Sequence, residues 1–230
     1  MDPGLYIAAS GMLAEQVRQN QLSNNLANAS TPGYEPQAAD QQSFGSLLLA
    51  NTSTGQPIGA LNAGVRISQV VTDTNPTPLQ QTGQPLDFGI AGTGYFAVQT
   101  SSGTRYTRDG QFQSNNRSQL TDQNGNLVLG QNGQPITVGA QGTVNPSDIG
   151  VFDVSNPVAQ GNTLVSGTAA GRATGVVRQG ELNQSGVDAI QTMTDMIASL
   201  RAYQAGQSAI QSIDQTMQED ATSVPSLGGS

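Results

Sequence analysis

The side chains best equipped for chemistry in this chain are carboxylates at turn-like positions. Asp87 follows Pro85-Leu86, Asp109 sits between Arg108 and Gly110, and Asp122 precedes Gln123-Asn124-Gly125. A pair of carboxyl groups can divide the roles of acid and base, as in glycoside hydrolysis. Little else is on offer: the 230 residues contain no histidine, no cysteine and no lysine. A serine nucleophile therefore lacks both its usual base and the Ser-Lys alternative. Zinc and redox metals lose their preferred ligands, and a Walker loop or a Schiff-base site loses its lysine. Asp122 to Asn126 opens like a calcium loop, yet it lacks the sixth-position glycine and carries Gly133 where a closing glutamate is needed. Gly92-Thr93-Gly94 starts like a dinucleotide fingerprint, but no third glycine follows at the required spacing. The sequence thus predicts a protein that is not an enzyme, with no catalytic, metal-binding or cofactor-binding residues. A carboxylate pair drawn from Asp87, Asp109 and Asp122 is the enzymatic alternative.

The elements that would position these acids are short. From Pro85 to about Val177, β-branched and aromatic runs are separated by Gly, Asn and Asp. Candidate strands are Tyr95 to Thr100, Arg105 to Phe112, Gln119 to Thr121, Asn126 to Leu129, Pro135 to Val138 and Ile149 to Val154, a spacing that predicts an antiparallel all-β domain. Asn124-Gly125 and Asn132-Gly133 have hairpin chemistry, and Asp109-Gly110 suits a turn with positive backbone angles. Ahead of this region, Val65 to Val71 alternates like a strand. Phe44 and Leu47-Leu48-Leu49 form an apolar cluster, and Thr52 to Gly55 and Asn75 to Pro78 behave as linkers.

Helical patterns stand at the two ends. Leu5, Ala8, Met12, Gln19, Leu22 and Leu26 recur at three- and four-residue steps, and Thr31-Pro32-Gly33 stops that helix. Its flanks are rich in amides, and Asn is a poor helix former, so the helix is expected to gain stability by packing with other copies that share those amides. Near the other end, Met193, Met196, Leu200, Tyr203, Gln207, Ile210, Asp214 and Met217 fall on alternating three- and four-residue steps, flanked by Ile190, Ile197 and Ile213. Such a helix would run about 50 Å, longer than a small domain can bury. Periodicity alone leaves open that it packs on its own β domain.

Composition narrows the partners. Charged residues make up 10%, the net charge is -8 and the pI is near 4.2, which argues against nucleic acid. No window approaches the apolar length of a transmembrane helix, and Met1-Asp2-Pro3-Gly4 does not read as a secretory signal.

Three blocks carry a family resemblance. Leu5-Tyr6, Ser10-Gly11-Met12 and Ser23 to Tyr34 resemble the amino-terminal motif of the bacterial flagellar rod and hook proteins. The second is Thr82 to Val98 followed by Tyr106 to Phe112, with glycines and aromatics at matching spacing. Gly180 to Asp188, continuing through Met193, Met196-Ile197, Arg201-Ala202-Tyr203, Ile210-Gln211 and Asp214, resembles the carboxyl-terminal helix. The chain departs from the family pattern at Gly186 and Gly206, where Asn is usual, and at Thr192, where Glu is. Both glycines weaken helix locally.

The resemblance implies a structural subunit of the basal-body rod, polymerising head-to-tail into the axial drive shaft that transmits torque. It implies an α+β fold whose terminal helices pair as a coiled-coil-like bundle around an inserted antiparallel β domain. The expected divisions are 1–34 (amino-terminal assembly helix), 35–84 (irregular connector with a strand), 85–180 (β domain), 181–221 (carboxyl-terminal assembly helix) and 222–230 (mobile tail). The expected assembly interface is Leu5, Met12, Leu22, Asn25, Leu26, Asn28, Met193, Met196, Ile197, Leu200, Tyr203, Ile210 and Met217. Implied partners are copies of itself, other rod and hook subunits, and the flagellar type III export apparatus, with no small-molecule substrate. Localisation would be the periplasm-spanning rod, reached without a cleaved signal peptide. Arg201-Ala202-Tyr203 and its surroundings favour the distal over the proximal rod type. The competing reading is a β-rich envelope or adhesin module with a helical oligomerisation stalk.

Overall fold

The computed structural model describes residues 3–43, 46–50, 57–62, 64–139, 142–161 and 163–223. Among the described residues, two long helices and fifteen strands give a mixed α+β protein, divided into two units.

The first unit comprises Met1–Asn24, Gln37–Val71 and Ile190–Ser230. Helix α1 (Pro3–Ala27) and helix α2 (Ala189–Ser223) meet in antiparallel register. The Ser199 hydroxyl donates to Glu15 Oε2 at 2.6 Å, and a Cβ on Gly206 would lie 2.8 Å from Met12 Cγ. An interior glycine weakens a helix by about 1 kcal/mol relative to alanine, and here it admits the Met12 side chain. In α2, Thr194, Ser208 and Thr216 each return a hydroxyl hydrogen bond to the carbonyl four residues back, which satisfies them inside the helix. Strand β1 (Gln37–Ser43) pairs with β4 (Val65–Thr72), and β2 (Ser46–Ala50) pairs with β3 (Pro57–Asn62). The region expected to be an irregular connector is therefore largely ribbon. β1 was invisible to pattern because Gln-Ala-Ala-Asp-Gln-Gln-Ser lacks β-formers; Ser68 Oγ of β4 bonds Asp40 Oδ2 across the ribbon at 3.0 Å. Phe44, the Thr52 to Gly55 linker and the tail beyond Ser223 lie outside the described residues.

The second unit comprises Asn25–Pro36 and Thr72–Ala189. It holds β5 (Leu79–Gln81), β6 (Phe88–Ala91), β7 (Tyr95–Thr100), β8 (Gly103–Thr107), β9 (Gln113–Ser114), β10 (Leu120–Thr121) and β11 (Leu127–Leu129). β12 (Val151–Ala159), β13 (Leu164–Arg172), β14 (Val176–Gln179) and β15 (Glu181–Asn183) complete it. β7 pairs with β8, β8 with β13, β13 with β12, and β12 returns to β7 through Val151↔Phe96, so four antiparallel strands close a ring. β7 is buried on both faces. Phe96 and Val98 join a core with Phe88, Ile90, Phe112 and Leu120, while Tyr95 and Ala97 join a second with Tyr106, Val154 and Val165. Each large side chain withdrawn from water contributes about 1.5–3 kcal/mol. Phe96 meets Phe112 edge-on, centroids 5.2 Å apart.

Several expectations are corrected here. The last helix begins at Ala189, not near Gly180: Glu181–Asn183 form β15, paired antiparallel with β5. Gly186 therefore lies outside the helix, where its N–H donates to the Tyr34 carbonyl at 3.0 Å. Pro135 to Val138 forms isolated bridges only. Gly110 does not take a positive φ; it is needed because Phe88 N–H donates to its carbonyl at 3.0 Å, and an added Cβ would collide with the Phe88 carbonyl oxygen.

Candidate functional site: an amide knot, a buried clasp and two outward helix rows

The amide-rich run that ends α1 is tied to the segment that precedes α2. Gly33, at φ 64°, sits against the Arg108 backbone with no room for a Cβ, and its N–H donates to the Asn183 carbonyl at 2.9 Å. Asn183, 1% exposed, pairs both ends of its amide with the Ile90 backbone: Nδ2 donates to the carbonyl and Oδ1 accepts the N–H. The Tyr34 hydroxyl donates to Asn25 Oδ1 at 2.9 Å, and the Ser185 hydroxyl donates to the Asn28 carbonyl. Burial holds the Tyr34 hydroxyl above its ordinary pKa. Asn25 and Asn28 are thus buried and hydrogen-bonded within the chain.

Beside the knot lies a charged clasp. Glu35 and Arg108 meet at 3.2 Å with side chains 6% and 2% exposed. Tyr95 Oη donates to both Glu35 oxygens, at 2.8 and 3.0 Å, and the guanidinium lies 5.0 Å over the Tyr95 ring. Arg108 also donates to the carbonyls of Gly94 and Asn75. Burial pushes the Glu35 carboxyl up, against the pull of Tyr95 and Arg108, and Asp73 adds to the push. Burial and the Glu35 charge likewise push the Tyr95 hydroxyl up. A buried ion pair satisfied this fully is a structural clamp, costly to break from one side.

The three candidate acids occupy turns. Asp122 Oδ1 accepts the N–H groups of Asn124 and Asn126, and its Oδ2 accepts the Asn126 amide. Asp87 accepts the Thr82 hydroxyl at 2.7 Å, and Asp109 accepts the Gln111 N–H at 3.0 Å. Asp109 is pushed up to about 6, chiefly by burial, with Asp122 and Asp87 adding repulsion and the Gln111 N–H opposing. Among the described residues, no group of three His, Cys, Asp or Glu could hold a metal ion. None of the described helices is long and apolar enough to cross a membrane.

The expected interface residues fall into distinct settings. Met193, Ile197, Leu200 and Met217 are exposed; Leu5, Met12, Leu22, Leu26, Met196, Tyr203 and Ile210 are half-buried. The least exposed row of α2 is Thr192, Met196, Ser199, Tyr203, Gly206, Ile210 and Ile213. It shares Met196, Tyr203 and Ile210 with the expected seam but takes Thr192, Ser199 and Gly206 in place of Met193, Leu200 and Gln207. Small residues face inward because the neighbouring helix comes close. The large ones are left outside, Ile190 at 81% exposure. Tyr6 and Leu13 of α1, at 55% and 65%, are the outward residues that the apolar stripe through Leu5 and Met12 overlooked. Their seven-residue separation was the available signal.

Three family models match. Residues 5–34 match a model described as flagella basal body rod protein, and residues 89–146 match the flagellar hook protein FlgE/F/G D1 domain. Residues 178–223 match the flagellar basal body rod FlgEFG protein C-terminal model. The chain is 30% identical to the flagellar hook-basal body complex protein FlhO of Bacillus subtilis, over 96% of this chain and 98% of the relative. It is 30% identical to the flagellar basal-body rod protein FlgG of Caulobacter vibrioides, over 93% and 96% of the two chains. The FlgF rod protein of the same organism is 29% identical over 99% of each. With three stretches matched in order and relatives at 30% identity covering 93% or more of it, the chain belongs to the flagellar basal-body rod and hook protein family.

Proposed function

We propose that this chain is a structural subunit of the flagellar basal-body rod, joining copies of itself and other rod and hook subunits through its terminal helices. The observation that carries this reading is the row Ile190, Met193, Ile197 and Leu200, large apolar side chains exposed at helical spacing on a helix of 35 residues. An exposed apolar row is a surface awaiting a neighbour. α1 and α2 pair in a coiled-coil-like manner, and Leu5, Met12, Leu22, Met196, Tyr203 and Ile210 line that seam, while Met193, Ile197, Leu200 and Met217 face other subunits. Head-to-tail contacts of this kind need not close into a ring, so they propagate as a helical shaft. The subunit carries torque by packing, without catalysis or a cofactor, and travels unfolded through the type III export apparatus.

Electron microscopy of basal bodies from a strain lacking the gene tests the reading. Rods that stop short and carry no hook, restored by the intact gene, are the expected result, and the stump length distinguishes a distal from a proximal position. Intact rods and hooks in the deletion strain would overturn it and move the adhesin reading forward.

A further inference from the structure

The outward rows of the two helices change character halfway along. On α1, Tyr6 and Leu13 give way to Gln16, Asn20 and Asn24; on α2, Ile190, Met193, Ile197 and Leu200 give way to Gln204, Gln207 and Gln211. Each helix has an apolar half and an amide half. Because Glu15 meets Ser199 and Met12 meets Gly206, the apolar half of α1 lies beside the amide half of α2 in the same molecule. Neither apolar half can be covered by the other within one chain.

The apolar half of α1 is hollow. Tyr6, Ala9, Leu13 and Val17, with Val65 and Ile67 of β4, line a groove of about 310 Å³. The apolar half of α2 is a ridge of side chains that are roughly half exposed or more. As far as Asn24 on α1 and Gln211 on α2, neither row contains an acidic residue, the next exposed step on α2 being Asp214, although the chain carries a net charge of -8. These are the strips along which copies of an acidic chain can touch without repulsion.

Resting on the rod reading, we infer that the occupant of the α1 groove is the Ile190–Leu200 ridge of a second copy of this chain, displaced along the helix axis by roughly ten residues, about 15 Å. The displacement follows from register. Within one molecule α1 residues 12 and 15 face α2 residues 206 and 199, whereas matching apolar to apolar sets Leu13 beside Met193 and Tyr6 beside Leu200. Copies in a head-to-tail polymer share one orientation, so a translation reaches the second register and brings amide half onto amide half elsewhere. Glutamine and asparagine rows pair with each other at such a seam and fix its register.

Cysteine cross-linking tests this directly, since the chain has no cysteine of its own. Leu13→Cys is combined with Met193→Cys, or with Gln204→Cys as the unshifted control, and oxidised in basal bodies purified from complemented cells. A disulfide-linked ladder of this chain for Leu13 with Met193, but not with Gln204, is the expected result. A ladder for the Gln204 pair alone, a link to a different protein, or none from assembled rods would overturn the proposal while leaving the rod reading intact. Absence of the unsubstituted chain from basal bodies would overturn the rod reading itself. If the cysteine pairs block assembly, a benzophenone amino acid in place of Tyr6 substitutes an aromatic for an aromatic. Attachment to a peptide containing Leu200 of another copy supports the register, and attachment elsewhere overturns it.

Discussion

The β unit and the helical unit of this chain handle the same kinds of residue in opposite ways. In the β unit, phenylalanine, valine and isoleucine close around β7, and buried polar groups such as Asn183, Glu35 and Arg108 find partners within the chain. In the helical unit the inward row of α2 includes Thr192, Ser199 and Gly206, while isoleucine, methionine and leucine point outward. One unit buries its large apolar side chains and the other leaves a row of them exposed. Burial therefore separates residues that fold the chain from those we propose to assemble it, which composition does not.

Substitutions can break or sharpen that contrast. The largest effect is expected for Gly110→Ala. The added methyl meets the Phe88 carbonyl, backbone against backbone, so unfolding of the β unit followed by tyrosine fluorescence in urea should show a loss of about 4 kcal/mol or more. Next is Arg108→Met, which strands Glu35 in a buried site. It should cost about 3–5 kcal/mol at pH 7, and Glu35→Gln in the same chain should restore part of it. Because burial raises the Glu35 carboxyl, the cost of Arg108→Met should shrink as pH falls through that raised range and the stranded group takes up a proton.

A smaller effect of opposite sign is expected at Asp109. Its carboxyl titrates near 6 in the folded chain against an ordinary 3.8, so the folded state holds the proton more tightly. Stability is then greatest below about pH 4 as far as this group is concerned, and falls as pH rises towards 6. Asp109→Asn keeps the acceptor for the Gln111 N–H and should stabilise the β unit at pH 7 by about 2 kcal/mol, flattening the profile between pH 4 and 6. The smallest effect on stability belongs to Ile197→Gln, a half-exposed outward side chain. Its unfolding midpoint should move by less than about 0.5 kcal/mol while swimming in soft agar is lost. A large stability loss there, with motility kept, would erase the distinction between the two units.

The sequence made some of this readable. β7 coincides with the expected strand Tyr95 to Thr100, since its alternation of large side chains serves two cores at once. β13 escaped because Leu-Val-Ser-Gly-Thr-Ala-Ala-Gly-Arg has few β-formers and gains its strand from neighbours on both edges. The apolar period of α2 was legible, but not its inward face. Period reports that a row exists, whereas the approach of Met12 selects glycine at 206 and that of Glu15 selects serine at 199, each one position from the expected seam. The intrachain partners of Asn25 and Asn28 were not legible for a related reason: an amide's partner can lie far along the chain, where no local pattern reaches it.

That distance has its own consequence. Ser185 and Asn28, joined in the amide knot, are 157 positions apart. A ribosome delivers the amino end first, so Gly33 and Asn28 must wait until most of the chain has emerged before their partners exist. Closing so large a loop is slow compared with forming a local hairpin. The knot is thus a late event, and it checks completeness: a chain that ends before Asn183 has no means of tying it.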